Sequence, residues 1–524
     1  MAGTFVLKPY ERRRDVSGFG RFLLFVGLIF VAILYGLMSA VLPLQLLVIP
    51  LVPVLVMVAL ILWLMPDLGA ARLDMAQKLF LWFIGLNIMW PNYVAFYLPG
   101  LPWITPTRFV VFALLATFLF AVATSGQFRR DLVEMTGSVP SIRMLFWLFW
   151  ATTVVSLAFA RDLTGSLNKF ANNQIYWTML FLAATYFATR KGFVTKMAAI
   201  LVVTLFAVTI VGLYEYHIQK VFWIDRLPFF LRVDDELLEK IGETQARAGT
   251  DVYRVRGTTA VSLYFAEYLA MIFPFAVHLL MWSRGFIRRG ALGFGVAGTI
   301  VVMYLTNARS AMVGLVLTIL IYPFFVAWQR RIRTPQSLSA TAMLAAYPVG
   351  VMVVSLIVIF WRRAHVAVLG GGQHEASSAA RSAQWAMGIP KILKAPFGRG
   401  AGSSGEVLGY ANLADEPTID TYYLTLLLEY GLVALPLFIL MFGLPLWFGF
   451  KAHNRADSEE EMLVAPLVIG LFNFLVIKSV FSSESNMPIA FIMLGCMLGL
   501  IWRQNRADAA GLASSIKMAG PATI

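Results

Sequence analysis

Residues 380–410 read ARSAQWAMGIPKILKAPFGRGAGSSGEVLGY, and residues 417–432 read PTIDTYYLTLLLEYGL. The first stretch carries Arg381 and Trp385, is interrupted by Pro390 and Pro396, and runs into glycines at 398, 400, 402 and 405. Such a stretch cannot cross a bilayer as a helix, because proline removes a donor and glycine frees the backbone. The second stretch is apolar almost throughout, is opened by Asp420, and holds one carboxylate, Glu429. Its spacing predicts one long apolar helix over 421–449. A polar loop leading straight into an apolar helix of that length implies a membrane fold with a structured loop outside the bilayer.

The surrounding chain supports this. Of 524 residues, 59% are hydrophobic and 13% charged, and mean hydropathy is +0.76. Repeated apolar runs of about 20 residues mean membrane-spanning helices. The alternating runs of about 10 residues that build a membrane barrel are absent. The fold class is all-α, a polytopic integral membrane protein with about 14 transmembrane helices, read as a single membrane domain over 1–524. Seven spans fall near 22–42, 43–65, 79–98, 108–124, 143–160, 174–189 and 197–213. Seven more fall near 259–282, 290–306, 311–328, 341–360, 421–449, 462–481 and 488–502. The basic N-terminus precedes an apolar run too long for a signal-peptide core, which reads as a retained first span.

Orientation follows from counting. With the N-terminus inside, cytoplasmic segments hold 24 Lys and Arg and the short outer loops hold 4, namely Arg108, Arg161, Lys169 and Arg309. Only short loops count in this rule, so both termini are expected in the cytoplasm. Residues 214–258 and 361–420 then form two long outward-facing loops, the second holding the expected active site. The net charge of +14 is spread over many short loops and leaves no soluble domain to bind nucleic acid. The single cysteine, Cys496, excludes an intramolecular disulfide, and five histidines with no close pair give no expected metal site. Residues 91–106 (PNYVAFYLPGLPWITP) are too proline-rich for a helix and too apolar for a free loop. They are expected at the outer interface, where Trp and Tyr anchor and a lipid tail is one alternative contact.

Four arginines stand at the outer face. Arg254 and Arg256 lie two apart just before a span, where ordinary interfacial arginines also occur. Arg309 sits in YLTNARSAMVG, a loop of only a few residues, where a permanent charge needs a partner or snorkels to headgroups. Arg381 falls in the second long loop near Trp385. Guanidinium forks match phosphate oxygens bidentately, so four facing one side suit a diphosphate. The glycine-rich residues 398–405 offer N–H groups or are simply a crossing point, and they do not form a nucleotide P-loop. Candidate acid–base groups are Asp420, Glu429 and His374. Asp420 alternatively caps its helix, Glu429 within an apolar helix marks function or a buried partner, and His374 alternatively sits in a mobile loop after Gly370, Gly371 and Gly372. Glu267 and Lys478 lie within spans, with partners the sequence does not identify.

The ordered pieces RVRGTTAVSLYFAEYLA, LTNARSAMVGL, RSAQW with APFGRGAG, and IDTYYLTLLLEYGL resemble the O-antigen ligase and polymerase family of bacterial membrane glycosyltransferases. The likeness covers roughly 254–445. It implies transfer of oligosaccharide repeat units from an undecaprenyl-diphosphate donor to an acceptor glycan, without metal or cofactor. A chain-length regulator is a further implied partner. It also implies diphosphate binding by Arg254 or Arg256, Arg309 and Arg381. Glycan or loop contacts are implied for Trp385, Gly398, Gly400, Tyr422 and Tyr423. Where ligases of the family typically carry His-Asn, this chain has Asp420-Thr421, which favours an exopolysaccharide polymerase with Asp420 as base and Glu429 or His374 in reserve. A ligase, a lipid-linked oligosaccharide flippase and a relative of the peptidoglycan polymerases are the alternatives. A flippase would not need a structured outer loop of some sixty residues.

Overall fold

The computed structural model describes residues 73–96, 103–231, 252–369, 375–411 and 417–518, with scattered positions at 22, 26, 27, 29, 30, 69, 71, 238 and 241. The chain divides into two units, Met1–Met75 with Ala116–Asp131 and Ala76–Leu115 with Leu132–Ile524. In the first, Ser125 Oγ donates to the Gly69 carbonyl and the Phe118 and Phe128 rings meet edge-on with centroids 5.4 Å apart. The candidate site lies wholly in the second.

The described helices run in order α1 Asp74–Met89, α2 Pro106–Thr124, α3 Gly126–Thr136, α4 Pro140–Leu157, α5 Leu163–Asn173, α6 Leu180–Ala188 and α7 Phe193–Ile218. There follow α8 Ser262–Trp282, α9 Phe286–Leu305, α10 Arg309–Arg333, α11 Leu338–Phe360, α12 Arg362–Val368 and α13 Glu375–Leu393. The last are α14 Ser404–Leu408, α15 Tyr422–Tyr430, α16 Ala434–Arg455, α17 Val464–Lys478 and α18 Met487–Met518. Among the described residues the only β pairing is two isolated bridges, Phe96 with Ile104 and Ala411 with Pro417. The all-helical membrane class is therefore as the composition dictates.

Ten of the described helices are long and apolar enough to cross a membrane. The expected spans at 22–42 and 43–65 fall almost entirely outside the described residues. The one at 79–98 corresponds to α1, of 16 residues. The one at 174–189 is a π-helical turn, Gln174–Met179, continued by α6 of 9 residues. The expected helix over 421–449 needs correction, because α15 ends at Tyr430 and α16 starts at Ala434. Gly431 (φ 89°) breaks it, and Leu432 N donates to the Pro396 carbonyl at 2.9 Å instead of continuing the helix. Glu429 accordingly lies at the end of a short helix rather than inside a long apolar one.

The bundle is held by close backbone approach as well as apolar packing. A Cβ on Gly495 would fall 2.5 Å from the Phe181 carbonyl oxygen, and one on Gly499 2.6 Å from that of Thr185. This small-xxx-small face seats α18 against α6, the usual device where lipid offers no hydrophobic drive between helices. The two intramembrane charges that the sequence leaves unpartnered pair with each other. Lys478 Nζ lies 2.7 Å from Glu267 Oε1, both fully buried, and Asn486 Nδ2 donates to Glu267 Oε2 at 2.9 Å. Rings of Tyr422, Phe474 and Phe481 surround the ammonium. An ion pair so buried is strongly destabilised when one partner is removed.

Candidate active site

The site is assembled from three segments that end helices or precede them. The first is the extended run into α8. Glu215, near the end of α7, accepts from Tyr253 OH at 2.7 Å, Arg256 N at 3.1 Å and Gly257 N at 2.7 Å. The Arg256 guanidinium is drawn inward to the same carboxylate, Nε to Oε1 3.9 Å, and the residue is 1% exposed. Arg254 points to the other side, with Nε donating to the Thr306 carbonyl at 3.3 Å. Of the two neighbouring arginines, one is thus part of the interior and the other faces a cavity.

The second segment is the turn between α9 and α10. Asn307 adopts a left-handed conformation (φ 49°), which asparagine tolerates better than most residues. The turn makes Arg309 the first residue of α10, with Nη1 on the Leu369 carbonyl at 3.4 Å. The third segment joins α13 and the start of α15. Arg381 on α13 donates from Nη2 to Ser378 Oγ at 3.1 Å. Asp420 N donates to Gln384 Oε1 at 2.9 Å, tying the approach to α15 onto α13. The cap position of α15 is Thr421, with no side-chain cap hydrogen bond, so Asp420 does not serve as its cap.

Arg254, Arg309, Arg381 and Asp420 line one cavity of about 290 Å³, with Tyr264 and Phe481 among its other walls. Three guanidinium groups and one carboxylate give it an excess of positive charge. Burial pushes the Asp420 carboxyl above its ordinary range, and the nearby Arg381 charge pulls it back down. Burial also lowers the pKa of Arg381, which Asp420 opposes. A cavity of this kind can bind a dianion bidentately and present a carboxylate of raised basicity to a neighbouring hydroxyl.

The remaining candidates lie elsewhere. Glu429, 1% exposed, accepts from Ser404 Oγ at 2.7 Å and pairs with Lys169 at 3.3 Å; Lys169 also reaches Glu484 at 3.2 Å. Burial opposes the charge on Lys169, and the two carboxylates more than offset it, leaving its pKa raised. Tyr422 is fully buried, with its hydroxyl 3.4 Å from Glu484 Oε1, and Tyr423 OH donates to the Leu475 carbonyl at 2.7 Å. Trp385 packs against the apolar cluster of Ile392, Val407, Leu408, Leu424, Leu427 and Leu428. The glycine-rich loop crosses α15 in direct backbone contact. Arg399 N donates to the Leu428 carbonyl at 3.0 Å and Gly400 N to that of Glu429 at 3.1 Å. A Cβ on Gly398 would fall 2.2 Å from the Glu429 carbonyl oxygen. His374 lies outside the described residues.

Sequence reasoning missed the Lys169 cluster and the Glu215 clamp. Lys169 and Glu429 stand 260 residues apart, and no local spacing announces such a pair. A lone carboxylate at the end of an apolar helix was the available signal for both Glu215 and Glu429.

The fold and cavity thus define a polytopic helical membrane protein with an arginine-lined cavity where helices meet their connecting segments. Residues 294–439 match the family model described as O-antigen ligase. That span is narrower than the expected 254–445 and contains Arg309, Arg381, Asp420 and Glu429, but not Arg254. A comparison with curated proteins finds no match. The family match supports a glycosyltransferase-like enzyme of the O-antigen ligase or polymerase type.

Proposed function

We propose that this protein is a polysaccharide polymerase that transfers oligosaccharide repeat units from an undecaprenyl-diphosphate donor to an acceptor glycan at the outer face of the bacterial inner membrane. The observation that carries this reading is the cavity shared by Arg254, Arg309, Arg381 and Asp420, residues drawn from three separate segments. In the reaction an acceptor hydroxyl attacks the anomeric carbon and the glycosyl–phosphate bond breaks. The electron pair leaves with undecaprenyl diphosphate, and the hydroxyl proton passes to the Asp420 carboxylate. A single displacement inverts the anomeric centre. Charge builds on the leaving diphosphate, and guanidinium groups already held by the Thr306 and Leu369 carbonyls and by Ser378 Oγ stabilise it without reorganising. They supply in place the positive charge that a metal would otherwise bring. The excess of Lys and Arg in the opposite loops orients the cavity outward.

A ligase is the second reading, favoured by the description of the matching family. Against it stands Asp420-Thr421 where ligases typically carry His-Asn. The test is purified protein in nanodiscs, with the undecaprenyl-diphosphate repeat unit as the only saccharide. A ladder of products spaced by one repeat identifies a polymerase. A single transfer that requires an added lipid or protein acceptor identifies a ligase. Movement of the donor across the bilayer with no covalent product identifies a flippase and rejects glycosyl transfer.

A further inference from the structure

A second cavity, of about 190 Å³, adjoins the arginine cavity, and Tyr264 lines both. Its walls include Trp90, Trp103, Asn87, Asn92, Thr259 and Asn486, and none of the described residues that line it is charged. Several walls are fixed by hydrogen bonds of their own. Trp90 Nε1 donates to the Val94 carbonyl at 2.6 Å, and Asn486 Nδ2 donates to the Tyr264 carbonyl at 3.0 Å. Tyr93, another wall, packs with Val94, Leu238 and Ile241, and Trp90 packs against this cluster, so the segment after α1 is anchored rather than loose. Asn92 and Ser485 are exposed at the cavity mouth.

Aromatic faces ringed by amides and hydroxyls suit a ligand with an apolar face and a rim of hydroxyl groups. Such sites fix orientation through a few placed polar groups on an otherwise apolar and aromatic lining. An anion would meet no cation among the described lining residues. A hydrocarbon tail would lie against a rim of amides and hydroxyls that it cannot bond. The volume suits one sugar ring, and the single shared side chain Tyr264 sets that ring next to the bond the arginines serve.

We infer that this cavity is a subsite for one uncharged monosaccharide of the glycan, adjoining the reacting sugar. The inference rests on the glycosyl-transfer reading above. The sugar belongs either to the donor repeat unit or to the growing acceptor, and its chemistry is the same in both.

The probes are the lipid-linked repeat unit isolated from cells lacking this protein and the oligosaccharide released from it by mild acid. Calorimetry on the full chain in detergent reads binding of the released oligosaccharide. Trp103→Ala weakens it roughly tenfold, the loss expected for one aromatic face. Trp103→Tyr retains most of it, and Asn92→Ala, at an exposed position, weakens it with no effect on melting temperature. Arg309→Ala leaves this binding unchanged, because the probe has no diphosphate. In turnover assays, a raised KM for the lipid-linked donor assigns the sugar to the donor, and a raised KM for the polymer assigns it to the acceptor. Binding by the wild type without any transfer would refute the catalytic reading and leave the subsite standing. Active transfer, with Trp103→Ala and Asn92→Ala both at wild-type affinity and KM, would overturn the subsite alone.

Discussion

Replacing Arg309 by lysine keeps the charge and removes the fork. Arg309 opens α10, donates to the Leu369 carbonyl at 3.4 Å, and lines both the 290 Å³ cavity and a larger one of about 570 Å³ that also includes Arg362 and Arg363. The residue is half-buried at a helix start, so the lysine variant should fold with stability changed by about 0.5 kcal/mol or less. What it loses is one arm of a bidentate contact to phosphate, a charge-assisted hydrogen bond worth about 1.5–3 kcal/mol. Converted at about 1.4 kcal/mol per factor of ten, kcat/KM falls by roughly 10- to 100-fold. Arg309→Ala removes both arms and the charge, and falls further. The assay is polymer formation from purified lipid-linked repeat unit at concentrations spanning KM, at matched amounts of monodisperse protein. A fall carried by kcat means the guanidinium acts on the departing diphosphate, and one carried by KM means it holds the donor equally in both states. Rates within twofold of wild type for both variants would refute the diphosphate assignment.

Three further outcomes follow from the same geometry. Asp420→Asn should lower turnover by about 10²-fold or more without loss of folding, as expected for a general base, whereas Glu429→Gln, which strips a partner from the partly exposed Lys169, should lower stability by about 1–3 kcal/mol; thermal melts and turnover on both variants separate them, and an active Asp420→Asn would remove the base. Because burial raises the Asp420 pKa and Arg381 lowers it, activity should rise with pH as the carboxyl ionises. Arg381→Gln should move that acidic limb to higher pH, and an unmoved limb in the kcat profile would mean another group titrates. Finally, a cysteine at exposed Ser382, in a Cys496→Ser background, should react with an impermeant maleimide on intact spheroplasts, and one at exposed Ser458 only after lysis; the reverse pattern would invert the orientation.

The apolar spans were legible because a helix in lipid must be apolar over its whole length, and that pattern survives without any tertiary information. The break at Gly431 was not, since Gly-Leu-Val reads as helix and the competing hydrogen bond comes from Pro396, far off in sequence. The arginines were legible as a set, because permanent charges at span ends are costly and few. Arg254 and Arg256 could not be told apart. Two residues apart in an extended run share a face, and what separates them is the Glu215 carboxylate together with Gly257 in a left-handed conformation (φ 56°). The glycine-rich loop was legible as a special backbone but not as a contact. Its N–H groups at 399 and 400 bond to α15, a partner that only the fold supplies.

The cavity is gathered from residues that leave the ribosome far apart in time. Arg254 is made early, Arg309 and Arg381 follow, Asp420 comes later, and Phe481 and Ser482 close the wall near the end. Lys169, made before any of them, waits for Glu429 and Glu484. A nascent chain threading into the membrane therefore holds isolated arginines but no enclosed pocket until almost all of it has been inserted. Translation itself delays the appearance of the site, so a stalled or truncated chain carries the charges without the cavity.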